Sequence, residues 1–126
     1  MAQTLISPLA QVHPEAQIGA EVTIGPFVTI EANTVVGDRT ILDQGCMIRS
    51  GARIGSDCHI HPYAVIAGIP QDLKFKGEET TAVIGDHTTI REFATVNRGT
   101  ASRGTTVVGS NCLIMAYSHV AHDCIL

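Results

Sequence analysis

The strongest constraint on this chain of 126 residues is a repeat with a period of six. Counting every sixth residue from Ile6 to Leu126 gives 21 positions, and 18 of them hold Ile, Val or Leu. The three exceptions are Asp72, Glu78 and Ser102. Glycine often follows the apolar residue, and four of the five prolines stand two places after it. Each six-residue unit therefore contains a turn.

A period of six does not fit an α-helix and is typical of a parallel β-helix. Each unit is predicted to form a short strand and a corner, so that three units make one triangular coil with the apolar residues inside. Successive coils would pair as parallel strands about 4.8 Å apart. With 18 residues in each coil, residues 1–126 are expected to form one all-β solenoid domain of about seven coils.

Composition limits the partners and the location of the protein. The formal net charge is −4, which argues against nucleic-acid binding. No apolar run reaches the roughly 18 residues that cross a bilayer, and the N-terminus lacks the features of a signal peptide. Four cysteines without an export signal are typical of reduced thiols. The sequence therefore predicts a cytoplasmic protein without a membrane span.

The cysteines all occupy the same slot of the repeat, four places after the apolar residue, where alanine also recurs. They are therefore predicted to be packing residues. Cys58 and Cys112 would share a face but lie three coils apart, which is too far for a disulfide. The spacing of zinc-binding cysteine pairs is absent from the sequence.

The first break in the repeat covers residues 67–83, where Asp72 and Glu78 take the apolar positions. The repeat then resumes in register, so this segment is expected to replace two units of one coil and to leave the solenoid as a loop. Leu73 is predicted to dock the loop while Asp72 and Lys74 stay available. Two interpretations remain open, namely a solvated loop and a flap that reaches a ligand or a neighbouring subunit.

The second break covers residues 97–107, where Ser102 takes the apolar position between Gly99 and Gly104. Arg98 and Arg103 stand beside this glycine-rich backbone. Such a segment can attract phosphate, and it can equally be an ordinary surface turn. The sequence contains no Walker-type or dinucleotide-binding glycine motif.

Two of the six histidines, His119 and His122, lie on either side of the core residue Val120, and Asp123 follows directly. A histidine held by a carboxylate is a suitable general base near neutral pH. The same His-x-x-His pair could instead supply two metal ligands at a subunit interface. The remaining histidines are expected to be exposed turn residues: His13, His59, His61 and His87.

The loop PQDLKFKGE and the segment HVAHDC together make the chain similar to one family of hexapeptide acyltransferases. The sequence resembles the N-terminal portion of the acyl-[acyl-carrier-protein]–UDP-N-acetylglucosamine O-acyltransferases, which begin lipid A biosynthesis. The resemblance extends over essentially the whole chain. It implies a left-handed β-helix that works as a cytoplasmic homotrimer, with active sites between subunits.

The resemblance also implies a reaction and a set of site residues. Members transfer an (R)-3-hydroxyacyl chain from acyl carrier protein to the 3-hydroxyl of UDP-N-acetylglucosamine. His122 matches the general base and Asp123 the residue that orients it. No metal ligand and no cofactor is expected. The matching substrate-binding residues are Gln71, Asp72, Lys74 and His119.

Two features depart from the family pattern. Asn97 stands before Arg98 where some members carry histidine. Leu126 falls on a core position, so the chain is expected to be a fragment. The resemblance implies further coils and a C-terminal helical domain, which would supply the oxyanion donor and part of the nucleotide site. The 126 residues alone are therefore expected to hold half of the site.

Three other classes of function remain as alternatives. The first is another hexapeptide transferase, either a UDP-sugar N-acyltransferase or an acetyltransferase that uses coenzyme A. The second is a zinc-dependent hexapeptide carbonic anhydrase with His87, His119 and His122 as ligands. The third is a non-catalytic β-helix, which the mixed outward residues disfavour because such solenoids carry ladders of one residue type.

Overall fold

The computed structural model describes residues 3–126, and all the regular elements in that range are β-strands. No helix in this range could span a membrane. The strands are β1 (Leu5–Ile6), β2 (Gln11–Val12), β3 (Gln17–Ile18), β4 (Thr23–Ile24), β5 (Thr29–Ile30), β6 (Val35–Val36), β7 (Ile41–Leu42), β8 (Met47–Ile48), β9 (Ala52–Ile54), β10 (His59–Ile60), β11 (Val65–Gly68), β12 (Thr81–Ile84), β13 (Thr89–Ile90), β14 (Thr95–Asn97), β15 (Thr105–Val108), β16 (Leu113–Ile114) and β17 (His119–Val120).

The strands form three parallel sheets, each containing every third strand of the chain. The first face runs β1-β4-β7-β10-β13-β16, the second runs β2-β5-β8-β11-β14-β17, and the third runs β3-β6-β9-β12-β15. A bridge between Val107 and Ile125 continues the third face beyond its last strand. Each coil thus gives one strand to each face, which confirms the parallel β-helix expected from the period of six.

The helix has six coils, and not the seven expected from the sequence, because both breaks are insertions between adjacent faces. In the early coils paired residues stand 18 apart, as in Ile6 with Ile24. Ile54 then pairs with Ile84, 30 residues later, and Ile84 pairs with Val108, 24 residues later. The two insertions of 12 and 6 residues together equal one coil. The expectation that the first loop replaces part of a coil is therefore wrong.

The core is a column of aliphatic side chains that point inward from all three faces. A second buried column comes from the slot four places later, where Cys46 and Cys58 are buried and all four cysteines are free. Burial raises the pKa of the Cys46 thiol to about 12, which suits a packing role. The Cys58 amide donates to the Thr40 hydroxyl and the Cys112 amide to the Thr88 hydroxyl. The Thr88 coil lies between these two cysteines, so they are two coils apart and not the expected three.

Many corners of the solenoid hold non-glycine residues in the left-handed backbone region. One corner, between the first and second faces, carries an exposed aromatic stack in which the rings of Tyr63 and Phe93 lie 5.4 Å apart and those of Phe93 and Tyr117 5.2 Å apart. A left-handed L-residue costs roughly 1–2 kcal/mol. The stacked coils offset this cost because each buried aliphatic side chain contributes about 1.5–3 kcal/mol.

Both insertions leave the solenoid at the same corner, which is the one between the second and third faces. The first loop, residues 69–80, joins β11 to β12, and the second loop, residues 98–104, joins β14 to β15. In the next coil the same corner is formed by residues 121–124, directly after β17. We call this edge the loop corner. The six-residue repeat positions three successive coils here, and each contributes polar side chains.

Candidate active site

A surface groove of about 410 Å³ lies at the loop corner. Three successive coils line it, because the first loop, the second loop and the corner after β17 are stacked on one another. The lining residues are Asp72, Lys74, Glu78, Thr100, Ala101, Ser102, His122 and Asp123. The groove therefore brings together four of the six site residues implied by the sequence resemblance.

His122 and Asp123 form the chemical centre of the groove. Nδ1 of His122 lies 3.0 Å from Oδ2 of Asp123. The side chain of His122 is 32% exposed and that of Asp123 is 13% exposed. The imidazole therefore faces the groove while its carboxylate partner is largely covered.

Asp123 is held from three sides. Its carboxylate accepts hydrogen bonds from the Thr100 amide at 2.9 Å and from the Thr100 hydroxyl. Its own amide donates to the Thr106 hydroxyl at 2.8 Å. Desolvation by itself would raise the pKa of the carboxyl group, but the hydrogen bonds from Thr100 and His122 outweigh it and lower the pKa to about 2. Asp123 is therefore ionised throughout the physiological pH range.

An ionised Asp123 decides how the neighbouring imidazole is protonated. A carboxylate can only accept, so Nδ1 of His122 must carry the proton that lies between them. In the neutral imidazole this leaves Nε2 with a free lone pair. His122 is thereby fixed in the tautomer that can remove a proton from a hydroxyl group placed in the groove.

The first loop brings both signs of charge to the groove. Asp72 accepts a hydrogen bond from the Lys74 amide at 3.0 Å and is half-buried, whereas the Lys74 side chain is exposed. The loop is fastened to the solenoid through Phe75, whose ring lies 5.3 Å from the guanidinium carbon of Arg98. Arg98 in turn donates to the Ser50 carbonyl at 3.1 Å. The contact thus holds the loop near the base of the second loop.

The other expectations for the first loop fare differently. Leu73 is fully exposed at 106%, so the prediction that it docks the loop onto the solenoid is wrong. Phe75 makes that contact instead. Gln71 is exposed and does not line the groove. His119 is exposed on the second face, where its Nδ1 lies 2.7 Å from the Thr95 hydroxyl, and it too lies outside the groove lining.

Sequence reasoning singled out the second loop but missed Thr100. The segment NRGT follows a strand, and glycine at position 99 lets the chain turn closely, because a Cβ there would meet backbone atoms of Thr105 and Gly104. That turn places Thr100 in a buried position beside Asp123. A threonine directly after such a glycine was the available signal. The phosphate interpretation rested on Arg98 and Arg103. Arg98 is engaged with Ser50 and Phe75, whereas Arg103 is exposed.

Asn97 occupies the end of β14, opposite Gly68 of β11. It is buried, and its side-chain Nδ2 has no hydrogen-bond partner among residues 3–126. A Cβ on Gly68 would approach its Oδ1 to 3.0 Å. Asn97 is thus packed into the base of the loop corner and does not line the groove.

The structure does not favour the zinc-dependent alternative. His87 is an exposed corner residue, and its Nε2 lies 3.9 Å from Asp57. Within residues 3–126 its ligand atoms do not come together with those of His119 and His122. The three histidines proposed as ligands therefore do not form a common site within one chain.

Comparison with known proteins places the chain in a family. A family model described as the GMPPB C-terminal domain matches residues 1–101, which is most of the chain. The chain belongs to this family. The match covers the first four coils, the first loop and the first two strands of the fifth coil, and it ends within the second loop.

Two relatives of this chain are acyl-[acyl-carrier-protein]–UDP-N-acetylglucosamine O-acyltransferases. The one from Chlorobaculum parvum is 59% identical over 75 residues, which cover 60% of this chain and 28% of that protein. The one from Campylobacter concisus is 48% identical over 85 residues, which cover 66% of this chain and 32% of that protein. The resemblance stated from the sequence is thereby confirmed.

Solved structures show the same similarity. The UDP-N-acetylglucosamine acyltransferase of Bacteroides fragilis is 57% identical with a TM-score of 0.93, covering 94% of this chain and 47% of that chain. The enzyme of Francisella novicida is 43% identical with a TM-score of 0.94, covering 97% of this chain and 45% of that chain. These matches confirm the left-handed parallel β-helix. The chain spans less than half the length of these relatives.

Proposed function

We propose that this chain carries part of the active site of an O-acyltransferase that moves an (R)-3-hydroxyacyl group from acyl carrier protein to the 3-hydroxyl of UDP-N-acetylglucosamine. This reaction would place the protein in lipid A biosynthesis. The observation that carries the proposal is the pair His122–Asp123 in a groove that Asp72 and Lys74 also line. The names of the relatives supply the substrate class.

In the proposed reaction His122 is the general base. Nε2 takes the proton of the sugar hydroxyl as its oxygen attacks the thioester carbonyl carbon. The carbon–sulfur bond then breaks, and protonated His122 returns the proton to the departing thiolate. Asp123 accepts a hydrogen bond from Nδ1–H throughout and stabilises the imidazolium while it exists. The acyl group passes directly to the hydroxyl, so no covalent intermediate on the protein is required.

The charges of the groove suit a nucleotide sugar. Asp72 is a half-buried carboxylate and can accept hydrogen bonds from sugar hydroxyls, while Lys74 offers a positive charge for a phosphate group. We propose that Gln71 and His119 contact the same substrate from outside the groove lining. Both are exposed: Gln71 lies in the first loop, and His119 lies on β17 just before the corner that holds His122. Parts of the site beyond these residues would determine the length of the acyl chain and whether the acceptor sugar carries a 3-hydroxyl or a 3-amino group.

The groove is open to solvent, and we propose that a second copy of the chain supplies its other wall in a cytoplasmic homotrimer. A solenoid has convex surfaces, and a site between subunits gives a substrate the enclosure that one convex surface lacks. The exposed aromatic stack of Tyr63, Phe93 and Tyr117 offers apolar area for such contacts. Light scattering at micromolar concentration tests this point, and a monomer would contradict the shared site.

The decisive experiment incubates the purified protein with UDP-N-acetylglucosamine and 3-hydroxyacyl carrier protein. Mass spectrometry then looks for the acylated nucleotide sugar. The chain is tested as residues 1–126 and with a C-terminal extension, and product is expected at least from the extended form and from neither form of His122→Gln. Parallel reactions with acetyl coenzyme A and with an amino-sugar nucleotide test the other hexapeptide transferases. Product only in one of those reactions would replace the proposed function.

A further inference from the structure

A second cluster of histidine and carboxylate side chains lies at a different corner, between the first and second faces. His59 is the first residue of β10 and lies on its outward side, and His61 follows the core residue Ile60. Side chains two apart on a strand point to the same side. Asp43 occupies the equivalent position to His61 in the preceding coil, since its amide pairs with the Ile60 carbonyl. Stacked coils therefore bring three ligand-type side chains together.

The contacts within this cluster are close. Nε2 of His59 lies 2.7 Å from Oδ2 of Asp43. The imidazole rings of His59 and His61 are stacked with their centres 3.9 Å apart. One ligand atom from each of the three residues lies within 4.8 Å of the others. Among residues 3–126 this is the one group of three such side chains that meets this distance.

A further carboxylate stands beside the cluster. Glu92 adds a second carboxylate, with Oε2 at 3.8 Å from Nδ1 of His61, and Arg91 holds its other oxygen at 2.9 Å. All three members of the cluster are half-buried, so a small ion can still reach them.

We propose that Asp43, His59 and His61 form a binding site for a divalent transition-metal ion, with Zn²⁺ as the expected ion. Two imidazole nitrogens and one carboxylate oxygen make a donor set that suits Zn²⁺ and other borderline ions, and disfavours Mg²⁺ and Ca²⁺. Water or Glu92 would complete four-fold coordination. The proposal departs from the sequence expectation that no residue of this chain ligates a metal.

A bound ion would act on the fold and not on acyl transfer. Asp43 belongs to the third coil, whereas both histidines belong to the fourth. A metal ion held by all three would link two successive coils, because its ligands come from both. An ion that binds only the folded chain raises its stability. The site is at a different corner from the groove, so its loss should leave the His122–Asp123 pair in place.

The test measures binding of Zn²⁺ to the metal-free protein by calorimetry and by its effect on thermal unfolding. One ion per chain and a rise of several degrees in Tm are expected for the wild type. The double variant His59→Ala/His61→Ala should bind Zn²⁺ at least tenfold more weakly and lose the rise in Tm. Asp43→Asn keeps the shape of the side chain and should weaken binding even where the double variant is too unstable to purify.

The matched control is His87→Ala, since His87 also stands beside a carboxylate but has no second histidine next to it. It should bind Zn²⁺ like the wild type. Co²⁺ spectra provide a check against the free cysteines, because thiolate ligands add an intense charge-transfer band that an imidazole and carboxylate site lacks. The proposal is overturned if the wild type binds no Zn²⁺, if Asp43→Asn and the histidine variants bind it unchanged, or if the thiolate band appears.

Discussion

Thr100 and Asp123 are 23 residues apart in the sequence, yet the Thr100 amide and hydroxyl both donate to the Asp123 carboxylate. This contact connects the second loop to the corner that holds His122. It fixes the ionised state of Asp123 and, through it, the tautomer of the proposed base. The second loop is therefore part of the proposed catalytic machinery and is more than a surface turn.

The most direct prediction concerns His122. Replacing it with glutamine keeps a polar side chain but removes the base, so kcat should fall by roughly 10²–10⁴ while the fold is retained. Steady-state rates with 3-hydroxyacyl carrier protein as the acyl donor measure this effect, and circular dichroism checks the fold. His87→Gln is the control, because His87 lies outside the groove. Equal rates for His122→Gln and the wild type would place the base elsewhere.

Thr100→Val tests the contact between Thr100 and Asp123. Valine keeps the shape of threonine but cannot donate the hydroxyl hydrogen bond, so the pKa of Asp123 should rise from about 2 towards its usual 3.8. Without the bond from the Thr100 hydroxyl, the Asp123 carboxylate is held less firmly and orients His122 less well. We therefore expect kcat to fall about tenfold. NMR titration of the Asp123 carboxyl group measures the pKa directly. An unchanged pKa would show that the Thr100 amide alone sets it.

The same carboxylate predicts how stability depends on pH. The pKa of Asp123 is lower in the folded state, so the stabilisation is fully present above about pH 4 and is lost as the pH falls towards 2. The free energy of unfolding should therefore differ most between wild type and Asp123→Asn near neutral pH. The difference should shrink between pH 4 and pH 2. Thr88→Val is the control, because it removes a hydroxyl that donates to the Gly109 carbonyl and involves no titratable group. Its loss in free energy of unfolding should be the same at pH 4 and at pH 2.

Phe75→Ala should release the first loop. The ring of Phe75 contacts Arg98, and no other aromatic residue of that loop replaces it. A cation–π contact at a partly exposed site contributes about 0.5–1 kcal/mol. Trypsin should therefore cut after Lys74 or Lys76 several times faster in the variant, and KM for the nucleotide sugar should rise. Phe27→Ala is the control, because Phe27 is an exposed aromatic residue outside both the loop and the aromatic stack, and it should leave the cleavage rate of the loop unchanged.

Gly99→Ala should disturb the second loop at its base. A Cβ at this position would collide with the backbone of Thr105 and Gly104, which cannot move without shifting β15. The expected loss of stability is about 1–3 kcal/mol, with a fall in kcat because Thr100 is displaced. Denaturant unfolding and steady-state rates measure the two effects. In Gly77→Ala the new Cβ meets no atom of residues 3–126 within 4 Å, and the cost comes only from the positive φ of 86° in an exposed part of the first loop. This variant should lose less stability than Gly99→Ala and should leave Thr100 in place.

Much of the fold follows from the sequence alone. The apolar residue of each six-residue unit and the small residue four places later form the two buried columns, because the same strand and corner recur every six residues and turn these two slots inward on each of the three faces. The cysteines fell into the second column for this reason. His122 and Asp123 were candidates in the sequence because they are adjacent, and the structure places both in the groove.

The tertiary structure alone decided the number of coils, the corner from which both loops leave, and the contacts between coils. Whether a break in the repeat replaces a strand or is inserted between two faces depends on which strands pair, and pairing involves residues 18, 24 or 30 apart. The contact of Thr100 with Asp123 and that of Asp43 with His59 depend on this register. Local sequence fixes which face of a strand is buried, because that depends on neighbouring residues. It does not fix which distant side chains meet, because that depends on the number of residues in every loop between them.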